Sequence, residues 1–456
     1  MGKTIQERKQ EGKEFRKTLS RSDLGVWKTK TDRQIVQELI VSQELTRVKK
    51  LIPLRRQRMA ASPFSFFRGA AVIQAHDLAG TENTKFIVQA CGDAHISNFG
   101  LFSSAERRLV FDINDCDETL PAPFDVDVKR LFASIEICGR ECGFKKSQRE
   151  KAVYEAAEMY RNTMRECSDE GNMEVWYKYF DVMNFMNNKQ DTITSEQAAF
   201  MNATVEKALT KTSELAMKKL VEKRDGRLQI KSNPPLIVPV RELIGEDKEQ
   251  FDLHWGLTKV LDKYKASLPE DRQFLIDQYK PLEAAHKVVG VGSVGRQAWI
   301  TVLLGRENGD PLVLQVKEAV HSVLEDYYGA SVYQNCGERV VAGQRAIQTA
   351  GDILLGWLSL KGPDGVTRDY YVRQLWDEKG SFELKGISQE GYYGLSLLCA
   401  WKLAVAHAKT GDRHAISGYL GKSDKFETAM VKYAAAYADQ NEADYETFLK
   451  FSKDML

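Results

Sequence analysis

The stretch GDAHISNFG, Gly92 to Gly100, sets an aspartate, a histidine and an asparagine on one short loop, and LVFDINDCDE follows with four more acidic groups. Asp93 and Asn98 lie five residues apart on a glycine-led turn, and Asp112 comes fourteen residues after Asn98, at the end of an apolar run. Phosphoryl transfer needs a carboxylate that orients a hydroxyl and accepts its proton, with an amide oxygen and a second carboxylate to hold Mg²⁺. These two loops offer all three: Asp93 as the base, Asn98 and Asp112 as metal ligands, with Asp115 and then Asp117 as alternatives to Asp112. A polar surface turn favours the same residue types, so the loop alone does not decide. His95, between Ala94 and Ile96, reads as a structural hydrogen-bonder more than a metal ligand. Asp127 precedes a helix expected from about Val128, which it would cap or, alternatively, brace the acidic loop. Arg68, flanked by phenylalanines in FFRGAA, would meet the acidic cluster or a substrate anion.

A second group lies some two hundred residues further on. In VVGVGSVGRQAWITVLL, Gly290, Gly292 and Gly295 have GxGxxG spacing around Ser293. A glycine-rich hairpin would show the same spacing. The run after it is β-branched and aromatic, so the loop joins two strands and does not open a helix. A strand–glycine loop–strand lid lets backbone amides approach phosphate without interference from Cβ atoms, as in kinases. Lys317, in LVLQVKEA, follows Gly295 by 22 residues on the next strand. A lysine in an apolar strand is costly to bury without an anion, unless it snorkels from an edge. Its place is that of the lysine that pairs the α- and β-phosphates. The expected counter-ion is Glu338 on the following helix, with Glu325 as competitor.

These parts belong to one machine but occur in the wrong order, because the glycine loop and lysine ordinarily precede the catalytic loop. Circular permutation would reconcile them. The elements suit that reading: short strands at KFIVQACGD, NFGLF and RRLVFD, amphipathic helices to about residue 225, and a β-rich stretch from about 285 holding the helix NCGERVVAGQRAIQ. Helices then run from Gln389 to the end. The expected organisation is an N-terminal helical arm (1–60) irregular at Pro53 and Pro63, and a large, mostly helical lobe with the catalytic and metal loops (61–280). A small β-rich nucleotide-binding lobe (281–385) and C-terminal helices packing on the large lobe (386–456) complete it. The fold class is α+β, a protein-kinase-like two-lobe fold in circularly permuted order. GDRHAISGYLG, near the C-terminus, imitates the first loop but has Ser417 where Asn is needed, and reads as a helix terminus and turn.

Bulk properties narrow the partners. The 456 residues include 43% hydrophobic and 28% charged, with a net charge of +1, so neither nucleic acid nor an anionic membrane is indicated. Seven cysteines without a CxxC pair read as free thiols of a reducing compartment. The N-terminus has no apolar h-region, and LSLLCAWKLAVAHA is too short for a bilayer and carries Lys402. A cytoplasmic protein is expected.

GDAHISNFG with VFDIND resembles the catalytic and metal loops of aminoglycoside phosphotransferases and choline kinases, and APFDVDVKRLFASI is similar to the Asp-led helix that follows them there. That resemblance implies Asp93 as catalytic base, Asn98 and Asp112 on metal, Gly292 and Gly295 over the phosphates and Lys317 on them. The whole chain from about residue 45 resembles domain of unknown function 2252, through LIPLRRQRMAASPFSFFRGAA, GDAHISNFG, FDINDCDET, VVGVGSVG, LQVKEA, GERVVAGQRAIQ and YYVRQL. Cys116 stands where an aromatic is expected. The expected function is transfer of phosphate from ATP, with Mg²⁺, to an unidentified hydroxyl acceptor. A nucleotide-binding pseudokinase without turnover, a metal-dependent phosphohydrolase using the aspartates and His95, and an adaptor are the alternatives.

Overall fold

Short apolar and aromatic runs form strands close to where their patterning places them. In a computed structural model, which describes residues 2–188, 193–243, 253–288, 294–306, 309–362 and 365–453, the strands are β1 (Ile87–Ala90), β2 (Phe99–Ser103), β3 (Leu109–Ile113), β4 (Leu120–Pro123), β5 (Phe180–Asp181), β6 (Val221–Arg224) and β7 (Arg227–Ile230). They continue with β8 (Ile237–Pro239), β9 (Lys280–Lys287), β10 (Ala298–Leu304), β11 (Pro311–Ala319), β12 (Gly356–Lys361), β13 (Thr367–Gln374) and β14 (Gly380–Ser381). The fold is mixed α+β with several antiparallel sheets. β1 pairs with β4, and the hairpin β2–β3 is flanked to give the order β14-β2-β3-β5. The largest sheet runs β12-β13-β11-β10-β9-β8.

Around β1–β4 lies a large helical core. Helix Phe124–Glu141 starts four residues before Val128, directly after Pro123, and is buried along nearly its whole length. It packs with helices Lys146–Asp169, Gln389–Thr410 and Lys425–Lys453 through residues such as Leu131, Phe132, Ala156, Tyr160, Leu403 and Tyr433. The N-terminal helices Ile5–Phe15, Val36–Glu44 and Ile52–Met59 and the 3-10 turn Asp23–Gly25 join the same core, with Leu24, Leu39, Ile40 and Met59 buried in it. Pro53 and Pro63 do not interrupt this arm. Each sits in the first turn of a helix, Ile52–Met59 and Pro63–Gly69, where a missing N–H costs nothing. Near the C-terminus Asp412 caps helix Arg413–Leu420, and Gly421 follows it with positive φ.

The sheet unit begins earlier than residue 281. On β11, Leu312, Leu314 and Val316 face one side and Val313 the other, so both faces need cover. Helix Leu253–Lys265 and the turn after it cover the first face with Tyr264 and Leu268; helix Ser213–Leu220 covers the second with Ala216 and Leu220. Helices Ser213–Leu220 and Leu253–Lys265, expected in the large lobe, thus bury apolar groups against the sheet. Strand alternation alone did not reveal that demand. No helix among the described residues is long and apolar enough to cross a membrane.

Candidate functional site

The acidic loop is built by its backbone. Gly92 has φ +82°, and a Cβ there would drive into the Glu118 carbonyl, so only glycine turns the chain here. Asp127 then fixes the loop: its carboxylate accepts from the amides of Cys91 (2.6 Å) and Gly92 (2.9 Å) and meets His407 Nε2 at 3.2 Å. Pro123, not Asp127, is the N-cap of that helix. Asp127 is a brace, and the capping account is corrected.

Asp93 sits on this fixed loop at the wall of a cleft of about 420 Å³ between the helical core and the large sheet. Arg130, one turn beyond Asp127, donates Nε to Asp93 Oδ1 at 2.8 Å while its other nitrogens hold Gln74 and the Phe67 carbonyl. Burial raises the Asp93 pKa above the ordinary carboxylate value, against the pull of Arg130, a direction that makes the carboxylate a better proton acceptor. His95 lines the cleft between Asp93 (3.7 Å) and Ser97 (3.2 Å); burial, then Arg68, holds its pKa well below normal, so the ring is neutral. The Asn98 amide nitrogen donates to the carbonyls of Asp93 (2.9 Å) and Asp115 (2.8 Å). Two carbonyl acceptors fix which end of that amide is the nitrogen.

Asp112 does not face the cleft. On β3 it points into the core, where Lys402 Nζ meets it at 2.8 Å with both side chains at 1% exposure or less. As the first-ranked metal ligand it is corrected: strand alternation turns it inward, and its charge is already answered. Asp115 and Asp117, just past the strand end, are the carboxylates that line the cleft.

Opposite them stands Lys317. On β11 it shares a face with Gln315, and across the ladder it pairs with Tyr371 while Gln315 pairs with Arg373. Lys317 Nζ lies 3.0 and 3.1 Å from the two oxygens of Asp115 and 2.9 Å from Asp117 Oδ2, with its side chain only 4% exposed. Tyr371 donates its hydroxyl to Asp115 at 3.1 Å, and Arg373 holds the Asn114 carbonyl at 2.9 Å. Burial opposes ionisation of Asp115, but Lys317, Arg373 and Lys379 outweigh it and keep the carboxyl far below its normal range.

Glu338 is not the partner of Lys317. It occupies the first turn of helix Cys336–Ile347, its amide capped by the Asn335 side chain at 3.0 Å. The next residue, Arg339, points inward instead and clamps the carbonyls of Asp117 (2.8 Å) and Thr119 (2.6 Å). Glu325 is also engaged elsewhere, with Arg339 (3.5 Å), His321 (3.1 Å) and the Ser322 amide (2.9 Å). A helix turns about 100° per residue, so one position of rotation replaced an expected glutamate with an arginine.

Gly290, Gly292 and Ser293 lie outside the described residues. Gly295 is described; its φ is +88°, and its carbonyl accepts from the Val48 amide at 2.7 Å. Arg47, which also lines the cleft, donates to the Val294 carbonyl at 2.5 Å. The N-terminal segment therefore crosses the end of the glycine loop.

The cleft carries more positive than negative groups: Arg47, Arg68, Lys211, Lys287, Arg296, Lys317, Arg373 and Lys379 against Asp93, Asp115, Asp117, Glu118 and Glu318. Val288, Ala298, Leu375 and Trp376 supply its apolar part. Among the described residues no three His, Cys, Asp or Glu side chains form a metal cage. A Mg²⁺ that arrives with phosphates needs only one or two carboxylates, and Asp117 Oδ1, buried without a partner, is an acceptor left for one. Arg130, Arg339, Tyr371, Arg373 and Lys379 were not singled out by motif. For the first four the only sequence signal is a charge or phenol on a largely apolar helix or strand; Lys379, in the polar turn DEKG between β13 and β14, has none.

The chain belongs to the family described as "Uncharacterized protein conserved in bacteria (DUF2252)", which matches residues 47–451. No curated protein and no solved structure matches it.

Proposed function

We propose that this family member is a Mg-ATP-dependent phosphotransferase acting on a hydroxyl acceptor, with a kinase-like architecture in circularly permuted order. The observation that carries the reading is the meeting of Lys317, from the large sheet, with Asp115 and Asp117, from the acidic loop, on one cleft that Asp93 and Asn98 also line. The sheet supports it as well. Its glycine loop joins β9 to β10, Lys317 is on the third strand of that meander, and a helix follows, which is the order of phosphate-binding parts in a kinase. So does the chain path. Helix Gln389–Thr410, entered from the sheet, ends beside β1, where the Gln89 amide donates to Thr410 Oγ1 at 3.2 Å. A cut and rejoining there would restore the ordinary order.

In this reading Lys317, Arg373 and the amides of the glycine loop take the nucleotide phosphates, and Asn98 with Asp115 and Asp117 is the donor set for Mg²⁺. The metal would neutralise phosphate charge. Asp93 accepts the proton of the acceptor hydroxyl as its oxygen bonds to the γ-phosphorus. The bond from that phosphorus to the β,γ-bridging oxygen breaks, and ADP leaves with the electron pair. Lys317 must exchange its aspartates for phosphate when the nucleotide enters, which frees those carboxylates for the cation.

The test combines nucleotide binding with transfer of γ-labelled phosphate to a pool of hydroxyl compounds. Asp93→Asn should leave ADP affinity within about twofold and lower transfer about 10³-fold. ADP binding that ignores both Mg²⁺ and Asp115→Asn would remove the site assignment. Metal-dependent binding without transfer would favour a pseudokinase.

A further inference from the structure

The acceptor side of the cleft has its own charge signature. Arg68 is in the last turn of helix Pro63–Gly69 and lines the cleft next to Asp93 and His95, both of which feel its charge. Its guanidinium carbon lies 6.0 Å from the Phe64 ring centroid, and its Nε is buried with no partner. Among the described residues no hydrogen bond or ion pair engages this guanidinium. Arg130, buried behind Asp93, is saturated by Asp93, Gln74 and the Phe67 carbonyl. Burial lowers the Arg68 pKa, with Asp93 and Glu141 only partly offsetting it. A half-buried guanidinium with one sealed, unanswered N–H and no anion on it is a costly arrangement, and its planar fork matches a carboxylate or phosphate bidentately.

We infer that the acceptor is a small alcohol that itself carries a carboxylate or phosphate, held by Arg68 so that its free hydroxyl meets Asp93. The inference rests on the phosphotransferase reading and deepens it. Arg68 is then the specificity-determining residue, and it works against cationic acceptors, which it repels at close range. Lys317 and Arg373 stand on the opposite wall with the nucleotide phosphates, so the two anions do not compete for one group.

The test uses the full chain without nucleotide, in thermal-shift and calorimetric titrations with glycerate, glycerol 3-phosphate, glycerol and choline. One or both anionic alcohols should bind, and glycerol and choline should not. Binding of glycerate alone assigns a carboxylate, and of glycerol 3-phosphate alone a phosphate. Arg68→Ala should weaken the bound anion at least about tenfold and leave ADP–Mg²⁺ affinity within about twofold. Arg68→Gln, which keeps the packing on Phe64, should show the same loss and decides the matter if the alanine variant fails to fold. Binding of choline or glycerol as tight as the anions, no binding of either anion, anion binding that survives both substitutions, or a matching loss of ADP affinity would each overturn the inference. A chain that binds ADP–Mg²⁺ but prefers neutral or cationic alcohols refutes Arg68 and spares the phosphotransferase reading. A chain that binds the anions but no nucleotide does the reverse.

Discussion

Asp112 and Asp115 are three residues apart, and each meets a lysine at 2.8–3.1 Å, yet the two pairs do different work. Asp112 with Lys402 is sealed inside the helical core, at 1% and 0% exposure. Asp115 with Lys317 bridges two parts of the protein across a cleft, and its carboxylate is 36% exposed. A sealed pair can only hold elements together, because any exchange of partner would strand a charge in an apolar interior. A pair at a cleft can trade its partner for an incoming anion and cation. Ion-pair distance therefore says little about role; access to a ligand says more.

The comparison is broken most severely through the sealed pair. Lys402→Ala leaves Asp112 buried and unpaired, and should cost about 3–5 kcal/mol of stability, read as denaturant or thermal midpoint. Burial already pushes the Asp112 pKa up against the pull of Lys402, so Asp112→Asn combined with Lys402→Met should recover much of that loss. A Lys402→Ala protein of normal stability would mean the pair is hydrated, and the distinction would fail.

Next in size is Lys317→Ala. With Asp115 partly open to water, stability should fall by clearly less than in Lys402→Ala, while on the proposed reading phosphoryl transfer should fall about 10²–10³-fold, or some 3–4 kcal/mol of transition-state stabilisation. Melting curves and rates on one preparation separate the two. A variant that keeps its rate would move the chemistry away from Lys317 and towards a hydrolase that uses the aspartates alone.

This contrast marks how far the sequence could be read. The strands at β1–β3, β10 and β11, the glycine-led loop and the lysine strand followed from short apolar, β-branched runs and turn chemistry, which are local; β9, from Lys280, begins before the apolar run that marked it. The placement of Asp93 and Asn98 together on one cleft-lining loop was legible for the same reason: the geometry of that loop is set within a few residues. Asp112 was misjudged because a strand end looks alike from either face, and only Lys402, 290 residues later, shows which way it points. Glu338 failed for a related reason, since a helix boundary uncertain by one residue rotates the face presented to the sheet. Arg130 and Arg373 answer charges distant in sequence and had no local pattern to betray them.

Lys379 offers a finer probe of the open pair. Burial first, then Arg373, brings its pKa down to about 7. An anionic nucleotide would raise that value again, so binding takes up a proton once the free protein has lost it. ADP affinity should hardly change below pH 6 and should fall above pH 7, by up to about tenfold per pH unit. Calorimetry in buffers of different ionisation enthalpy would register the proton. Lys379→Gln should flatten the profile. A profile unchanged in that variant would assign the proton to another group, with Asp93, raised by burial, as the first to examine.

The smallest expected effect concerns Glu338. Its side chain is half-buried at the start of helix Cys336–Ile347, and the clamp on the acidic loop comes from Arg339, which reaches the Asp117 and Thr119 carbonyls. If Lys317 is positioned by Asp115 and Asp117 throughout, Glu338→Gln should change nucleotide affinity and rate by less than about twofold, roughly 0.4 kcal/mol. Arg339→Ala, by contrast, should loosen the loop that carries Asp117. A tenfold rate loss in Glu338→Gln with ADP affinity unchanged would carry a different message. It would mean that nucleotide draws Lys317 off its aspartates and that the helix then turns Glu338 onto the freed amine. The partner exchange that separates the open pair from the sealed one would then include a helix rotation as well as a change of ligands.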